Sequence, residues 1–137
     1  MSKPERIIDP AQFAAAQPIA DLEEIRRHIP QRFEMEQLTG ILHLDTENHL
    51  CVGYKDISRE EFWVRGHMPG MPLMPGVIML ESAAQLASFY AQKYDMLQTK
   101  MIAFGGVEQV RFREPVIPGD RLVMALQLVK ARPRRMM

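Results

Sequence analysis

The feature that most restricts the fold of this 137-residue chain is a loop of unusual composition followed directly by a long apolar segment. Residues 66–76 contain three Pro and three Gly, interspersed with Met and a single His. Pro lacks a backbone donor and Gly favours unusual dihedral angles, so this density prevents both an α-helix and an internal β-strand. The segment must therefore form a loop of defined shape.

The segment that follows the loop, residues 77–94, predicts the one long helix of the chain. Apolar residues lie nearly all round it, which is typical of a buried helix rather than one that lies on a surface. Several of its side chains are Ser or Ala and would allow a sheet to approach closely. We therefore expect this helix at the centre of the fold.

A shorter helix is predicted before the loop. Asp21 is a typical N-cap residue, acidic residues follow it in the first turn, and basic residues at 26–28 precede Pro30. Residues 1–20, which include three Pro, are predicted to be a loosely structured lead-in. At this length the chain forms one domain, so residues 21–137 are expected to fold as a single unit.

Four further segments have strand patterns. Residues 39–45 and 50–56 are separated by residues with turn chemistry, and they predict a hairpin. Two longer strands are predicted over residues 101–113 and 121–130, joined by a turn that contains Pro and Gly. The order helix, hairpin, loop, helix, strands predicts an α+β fold, with an antiparallel sheet around one central helix.

Composition excludes several classes of function. The chain has 17 basic and 17 acidic residues and so lacks the excess of Lys and Arg that a general nucleic-acid or anionic-membrane binder needs. No apolar run approaches the ~18 residues of a membrane span. The single Cys excludes an internal disulfide framework, and no signal-peptide segment is visible, so the expected compartment is the cytoplasm.

The balanced total conceals an uneven distribution of charge. Residues 1–70 carry eight basic and twelve acidic side chains, whereas residues 71–137 carry nine basic and five acidic ones. A solvated face with a basic tail explains this pattern most simply. The alternative is a docking surface for an acidic partner, and the sequence leaves both interpretations open.

Two ionisable residues stand beside the loop and the helix start. Glu81 interrupts the apolar run of the helix, and a carboxylate among buried side chains must be paired, hydrogen-bonded or protonated. Gln85 lies one turn further on the same face and could hold it by a hydrogen bond. His67 can act as a base near neutral pH, and free N–H groups at Gly76 favour developing negative charge. A base, an acid and an oxyanion donor suit proton abstraction beside a carbonyl.

The same residues also have structural interpretations. His67 could be a hydrogen-bonding loop residue and Glu81 a structural carboxylate, and their spacing alone does not choose between the two. The methionines at positions 68, 71, 74 and 79 are explained equally well as core residues or as adaptable lining for an acyl chain. The sequence leaves both pairs of interpretations open.

A metal site is not expected. His43, His49 and Cys51 could alternate along the predicted hairpin, but their spacing matches no common metal-binding pattern. Cys51 as a nucleophile has no partner marked in the sequence. We therefore expect chemistry, if there is any, from the loop and the long helix.

The loop and the helix together resemble a known enzyme family. Residues 66–77, GHMPGMPLMPGV, followed by LESAAQ at 80–85, strongly resemble the 3-hydroxyacyl-[acyl-carrier-protein] dehydratases of type II fatty acid synthesis. The family pattern is G-H-F-P-G-x-P-x-M-P-G and then a helix that contains Glu. Residues 104–107 and 111–120 match a second block, F-A-G-x and then R-F, P-V-x-P-G-D. The resemblance covers about residues 20–130, with the N-terminal segment of the family matched at 21–25 and 30–33.

The resemblance implies a hotdog fold, in which the sheet wraps around the helix at 77–94. Family members are dimers, often trimers of dimers, with each active site at a dimer interface. By this similarity His67 of one subunit removes the C2 proton of a 3-hydroxyacyl thioester, and the Gly76 N–H holds the thioester oxygen. Glu81 of the other subunit protonates the departing C3 hydroxyl. No cofactor is needed, because both steps are proton transfers.

The function implied is dehydration of (3R)-hydroxyacyl thioesters on acyl carrier protein to trans-2-enoyl thioesters. Glu81, where the branch that also isomerises the double bond typically has Asp, favours dehydration alone. An acidic carrier protein would suit the seven basic and two acidic residues from position 111 onward. The alternatives are a thioesterase of the same fold and a non-catalytic acyl-binding subunit. Substrate contacts are expected from Met68, Pro69, Met74, Val77, Gln85 and Phe104.

The chain departs from the family pattern in three places. Residues 30–39 read PQRFEMEQLT where the family reads P-H-R-Y-P-F-L-L-V-D, so an apolar entry to the first strand has become acidic. Met68 replaces the usual Phe. The sequence ends at Met137, where family members usually continue into a further long strand. Either that strand is absent from a divergent enzyme or the sequence is truncated, and the expected sheet lacks its last strand.

Overall fold

The structure is a computed structural model, and it describes residues 5–137. Two short 3-10 turns, Pro10–Phe13 and Phe33–Met35, accompany the regular elements. No helix within the described residues is both long and apolar enough to cross a membrane. The helices and strands are α1 (Leu22–His28), β1 (Gly40–Asp45), β2 (Leu50–Asp56), α2 (Gly76–Lys93), β3 (Arg121–Gln127), β4 (Ala131–Arg132) and β5 (Arg135–Met136).

Helix α1 begins where the sequence predicts. The Asp21 side chain accepts a hydrogen bond from the Glu24 backbone N–H at 3.0 Å, which caps the first turn. The Glu24 carboxylate in turn pairs with Lys93 Nζ at 2.7 Å, at the last residue of α2. Ile25 is almost fully buried in the main core. These contacts fix α1 against the C-terminal end of α2.

The predicted hairpin is confirmed as β1 and β2, and β3 pairs with the other side of β2. All three strands are antiparallel, in the order β1-β2-β3. The turn between β1 and β2 is held by Asp45, whose side chain accepts hydrogen bonds from Asn48 and from the Glu47 N–H. The Asn48 bonds hold the pKa of the Asp45 carboxyl below its usual value. Strand β3 ends at Gln127, three residues before its predicted end.

Helix α2 packs across one face of this sheet and supplies the centre of the core. Leu86 and Phe89 are fully buried against Ile41 of β1 and Cys51 of β2. The helix approaches the sheet closely at Gly53, where an added Cβ would lie 2.7 Å from Leu86 Cδ1. The absence of a side chain on Gly53 therefore lets α2 lie close to β2.

The expectation that α2 is buried on all sides is wrong. Its ends agree with the prediction to within one residue, but Val77 is 67% exposed and Ala83 is also exposed. The three strands cover only one face of the helix, because a single sheet contacts a single side. The buried residues of that face are Ser82, Gln85, Leu86, Ser88, Phe89, Tyr90 and Ala91.

The predicted strand at residues 101–113 is wrong. The segment has no regular structure, and most of its side chains are exposed. A strand requires a neighbour for its backbone hydrogen bonds, and within the described residues the three-stranded sheet does not extend to this segment. The large apolar side chains of this segment are exposed, namely Met101, Phe104, Val107, Val110 and Phe112.

The N-terminal segment packs on the face of the sheet opposite α2. Phe13 is 8% exposed and contacts Leu42, Val52 and Tyr54, which form a second apolar cluster. A groove of about 370 Å³ lies on this same outer face, between residues 5–10 and β3. Residues 1–4 of the predicted lead-in lie outside the described residues, and its boundary at residue 20 stays a prediction.

Candidate active site

The Pro- and Gly-rich segment forms a shaped loop that is anchored in the core. Met68 and Gly70 adopt positive φ angles of 63° and 82°, which turn the chain sharply. Met74 and Trp63 are each 3% exposed and pack together with Ile57. Met74 is therefore a core residue, whereas Met68 is 50% exposed. The core interpretation is confirmed for Met74, and the acyl-chain interpretation of Met68 stays a prediction.

His67 is held in one orientation by the backbone of its own loop. The backbone N–H of His67 donates to the Trp63 carbonyl at 2.8 Å. The ring Nδ1 lies 2.7 Å from the Leu73 carbonyl oxygen. A carbonyl oxygen only accepts, so we assign the ring proton to Nδ1. In the neutral ring Nε2 then carries a free lone pair. This is the arrangement that a general base requires.

Gly76 is the first residue of α2, directly after the N-cap position of Pro75. The Pro75 carbonyl already accepts from the Ile78 and Met79 N–H groups, at 2.9 and 3.2 Å. The N–H of Gly76 has no acceptor one turn earlier in the helix, and it stands at the positive end of the helix dipole. It can therefore donate to an oxygen that becomes negative.

A residue from the irregular segment contacts this helix start. A Cβ added to Gly76 would lie 2.6 Å from Phe112 Cε2, so the Phe112 ring lies directly against the glycine. Four residues further on, the Val116 carbonyl accepts a hydrogen bond from the Met74 N–H at 2.8 Å. Residues 112–116 therefore lie along one side of the end of the loop.

Glu81 lies on the next turn of α2 and is partly buried, rather than enclosed as the sequence predicts. Its Oε1 accepts a hydrogen bond from Gln85 Nε2 at 2.9 Å, which confirms the predicted pairing of these two residues. Its Oε2 makes no hydrogen bond within residues 5–137 and remains free to carry a proton or to accept one.

Gln85 connects Glu81 to a distant segment that sequence reasoning missed. Gln85 is 1% exposed, its Nε2 also donates to the Met35 carbonyl at 2.7 Å, and its Oε1 accepts from the Gln37 N–H at 3.0 Å. Met35 and Gln37 are about fifty positions away in sequence, and no local pattern marks the contact. Every polar atom of the Gln85 side chain is thus used within the protein.

The structure places the predicted site residues in different surroundings. His67 and Glu81 each have their own hydrogen-bond partner, and none joins the two of them directly. Of the predicted substrate contacts, Met74 and Gln85 are buried in the protein interior. The other predicted contacts are exposed, namely Met68, Pro69, Val77 and Phe104.

The remaining candidate groups have structural explanations. Cys51 is fully buried, and burial raises the pKa of its thiol to about 12, so it is a poor nucleophile. His49 Nδ1 lies 2.8 Å from the Tyr90 hydroxyl, which ties the hairpin turn to α2. Across residues 5–137, no group of three or more His, Cys, Asp or Glu side chains could hold a metal ion.

Comparison with known proteins identifies the family. The FabA-like domain family matches residues 29–137 of the chain. The 3-hydroxyacyl-[acyl-carrier-protein] dehydratase FabZ of Clostridium botulinum strain Okra is 36% identical over 110 residues, which cover 80% of this chain and 76% of the relative. The protein of the same name from the Loch Maree strain is 34% identical, with the same coverage of both chains.

These matches confirm both the predicted resemblance and the predicted α+β hotdog fold. The antiparallel sheet with α2 packed across it is the arrangement that the fold requires. The matched residues include the loop, α2 and the whole of β1 to β3. The chain belongs to the FabA-like domain family.

Proposed function

We propose that the protein dehydrates (3R)-hydroxyacyl thioesters on acyl carrier protein to trans-2-enoyl thioesters in fatty acid synthesis. The observation that carries this proposal is the fixed orientation of His67, whose Nδ1 is bound by the Leu73 carbonyl and whose Nε2 is free. The loop it begins leads directly to the Gly76 N–H, and Glu81 follows on the same helix. Relatives named 3-hydroxyacyl-[acyl-carrier-protein] dehydratase support the reaction class.

The first half of the proposed reaction breaks the C2–H bond. His67 Nε2 takes the C2 proton, and the electron pair of that bond moves toward the thioester carbonyl. The carbonyl oxygen becomes negative, and the Gly76 N–H donates a hydrogen bond to it. A fixed donor at a helix start stabilises such charge without reorganisation, which is the usual source of most of the acceleration.

The second half breaks the C3–O bond. A protonated Glu81 donates to the C3 hydroxyl, which leaves as water while the C2=C3 double bond forms. Oε2 is the oxygen that fits this step, because Oε1 already accepts from Gln85. The reaction leaves His67 protonated and Glu81 ionised, and proton exchange with water restores both. Both halves of the reaction depend on proton transfer, so the proposal includes no cofactor.

The proposal includes a second copy of the chain, with His67 of one protomer facing Glu81 of its partner. Several large apolar side chains that are exposed to solvent support this, since a partner chain would bury them. Val77 at the helix start is 67% exposed, and Met101, Phe104 and Phe112 of the irregular segment are between 52% and 75% exposed. A homodimer is the smallest assembly proposed, and a trimer of dimers is the larger one implied by the family.

An acidic carrier protein is the proposed macromolecular partner. Arg111 and Arg113 are exposed on either side of Phe112, which itself contacts the helix start. Positive charge at this position would attract an acidic partner and speed encounter more than it would tighten binding. The proposed compartment is the cytoplasm, with which a single buried thiol is compatible.

A spectroscopic assay of enoyl-thioester hydration tests the proposal in the reverse direction. We expect turnover by the wild type, and rates at least ~100-fold lower for His67→Ala and Glu81→Gln, since general acid–base groups typically contribute that much. His43→Ala and the exposed Glu108→Gln are the matched controls and should keep near wild-type rates. Folded, dimeric wild-type protein that turned over neither the enoyl nor the 3-hydroxyacyl substrate would rule out the proposal.

Two other outcomes would identify the alternatives. Release of free thiol from saturated acyl thioesters would indicate a thioesterase of the same fold. Saturable binding of acyl thioesters without turnover would indicate a non-catalytic acyl-binding subunit. The free Nε2 of His67 counts against the binding subunit, because such a subunit needs no oriented base.

A further inference from the structure

Phe112 makes a close contact with the first residue of α2. The segment around it has no regular structure, and the side chain is 52% exposed. Even so, its ring supplies all three of the atoms nearest to a Cβ built on Gly76, at 2.6, 2.8 and 2.8 Å. The ring therefore lies against the Cα of the first residue of α2, and nothing larger than glycine fits there without displacing it.

The residues that follow Phe112 restrain the backbone near it. The Val116 carbonyl accepts from the Met74 N–H at 2.8 Å, and Val116 packs against the apolar cluster that contains Met74. Further on, Ile57 donates its N–H to the Asp120 carbonyl at 2.9 Å. The chain from Phe112 to Asp120 is thus attached to the loop and to the end of β2.

The reason for glycine at position 76 is space rather than backbone conformation. Gly70 and Gly119 have positive φ angles, but Gly76 does not and has the ordinary conformation of a helix. A side chain at position 76 would meet only the Phe112 ring among its nearest atoms. The glycine and the phenylalanine therefore form a matched pair, in which one residue provides the space that the other occupies.

We propose that Phe112 is a positioning residue, whose ring packs on Gly76 and holds its N–H toward the thioester oxygen. The inference rests on the proposed dehydratase function and adds a residue to it. An apolar ring on one side of the first turn restrains the Gly76 peptide and keeps water from that side. A hydrogen bond to a developing oxyanion is stronger where the local dielectric constant is low.

A double-mutant cycle in the hydration assay tests the inference. Gly76→Ala places a methyl group in the space that the Phe112 ring occupies. We expect kcat to fall at least ~10-fold. Phe112→Ala removes the ring, and we expect kcat to fall ~10-fold with little change in KM, because the lost interaction acts in the transition state. In the Phe112→Ala background, the further substitution Gly76→Ala should change kcat by less than ~2-fold, since the space is then vacant.

Two further variants separate positioning from a general loss of structure. Phe112→Leu keeps an apolar side chain against Gly76 and should recover part of the lost kcat. Phe62→Ala makes the same chemical change at a phenylalanine of similar exposure, 49%, and should keep the wild-type kcat. Circular dichroism and the unfolding midpoint show whether each variant remains folded.

The outcomes distinguish this inference from the function on which it rests. If the wild type is active and Phe112→Ala keeps its kcat, or only KM rises, the positioning role is wrong and the dehydratase function stands. If Gly76→Ala is equally damaging with and without the Phe112 ring, the steric pairing is wrong. If the wild type has no hydration activity, the proposed function fails and this inference fails with it.

Discussion

The hairpin β1–β2 and the segment 101–120 both carry apolar residues in strand-like patterns, yet the protein uses them in opposite ways. In the hairpin the side chains of Cys51 and Val52 are at most 1% exposed, and each strand has a hydrogen-bonded neighbour. In the second segment Phe104 is 57% exposed, and residues 101–113 belong to no strand. An apolar strand pattern therefore shows only that a segment can form a strand. A neighbouring strand determines whether the strand forms.

Matched phenylalanines should give the largest contrast between the two regions. Phe89 is fully buried between α2 and the sheet, and Phe89→Ala should lower the free energy of unfolding by about 3–5 kcal/mol through lost burial and a residual cavity. Phe104→Ala should cost less than about 0.5 kcal/mol within the protomer and instead weaken self-association. Urea unfolding at two protein concentrations measures both effects, and equal losses would contradict the comparison.

Matched glutamines should give the next largest contrast. Gln85→Leu leaves the Gln37 N–H and the Met35 carbonyl without their partner, and we expect a loss of about 2–3 kcal/mol in the free energy of unfolding. Gln109 is in the exposed segment, and Gln109→Leu should change the free energy of unfolding by less than about 0.5 kcal/mol. The same urea titration applies. A small effect at Gln85 would show that the segment around residue 35 is held by other contacts.

Glycine substitutions test packing in the same two regions. Gly53→Ala would place a Cβ 2.7 Å from Leu86 Cδ1 and should lower the free energy of unfolding by about 1–2 kcal/mol, since the core must shift to admit it. At Gly106 nothing lies within 4 Å of an added Cβ, so Gly106→Ala should be close to neutral. Thermal unfolding compares the two variants. If Gly106→Ala lowered the stability as much as Gly53→Ala, residue 106 would be packed in solution.

The smallest expected effect is electrostatic and depends on pH. A hydrogen-bonded ion pair with Arg26 lowers the pKa of the Glu36 carboxyl below its unfolded value near 4.3. The pair therefore stabilises the fold above that unfolded pKa, and the contribution is lost as the pH falls through the folded pKa. Glu36→Gln should destabilise the protein at pH 7, and the difference from wild type should shrink at pH values below about 4.

The control for this electrostatic prediction lies in the exposed segment. Glu108 forms no ion pair within the described residues, and Glu108→Gln should leave the unfolding midpoint unchanged at both pH values. Chemical denaturation at pH 7 and at pH 3.5 measures both variants. A constant difference between Glu36→Gln and wild type across this range would show that the carboxylate charge is not what stabilises the pair.

Local signals predicted the parts of the fold that local chemistry determines. Asp21 caps α1 as its residue type indicates, and turn residues around Asn48 place the hairpin correctly. The helix at 76–93 agrees with the prediction because Pro75 and the apolar run after it define its start. Each of these features depends on residues within a few positions of one another.

The errors lie where distant residues decide the outcome. Residues 101–113 form no strand because the sheet provides no neighbour for them. The apolar residues of α2 could not show that Val77 is exposed, because the pattern does not record how many faces a sheet will cover. At the candidate site the loop and the Glu81–Gln85 pair were predictable, whereas the contacts of Gln85 with Met35 and Gln37 were not.

The bond between His67 Nδ1 and the Leu73 carbonyl has a consequence for any survey of this site by mutagenesis. The group that sets the tautomer of the ring is a main-chain oxygen, so replacing Leu73 by another residue leaves it in place. An alanine scan would therefore report that nothing orients the histidine. A change in the length of the loop would reveal how strongly the path of the backbone orients the base.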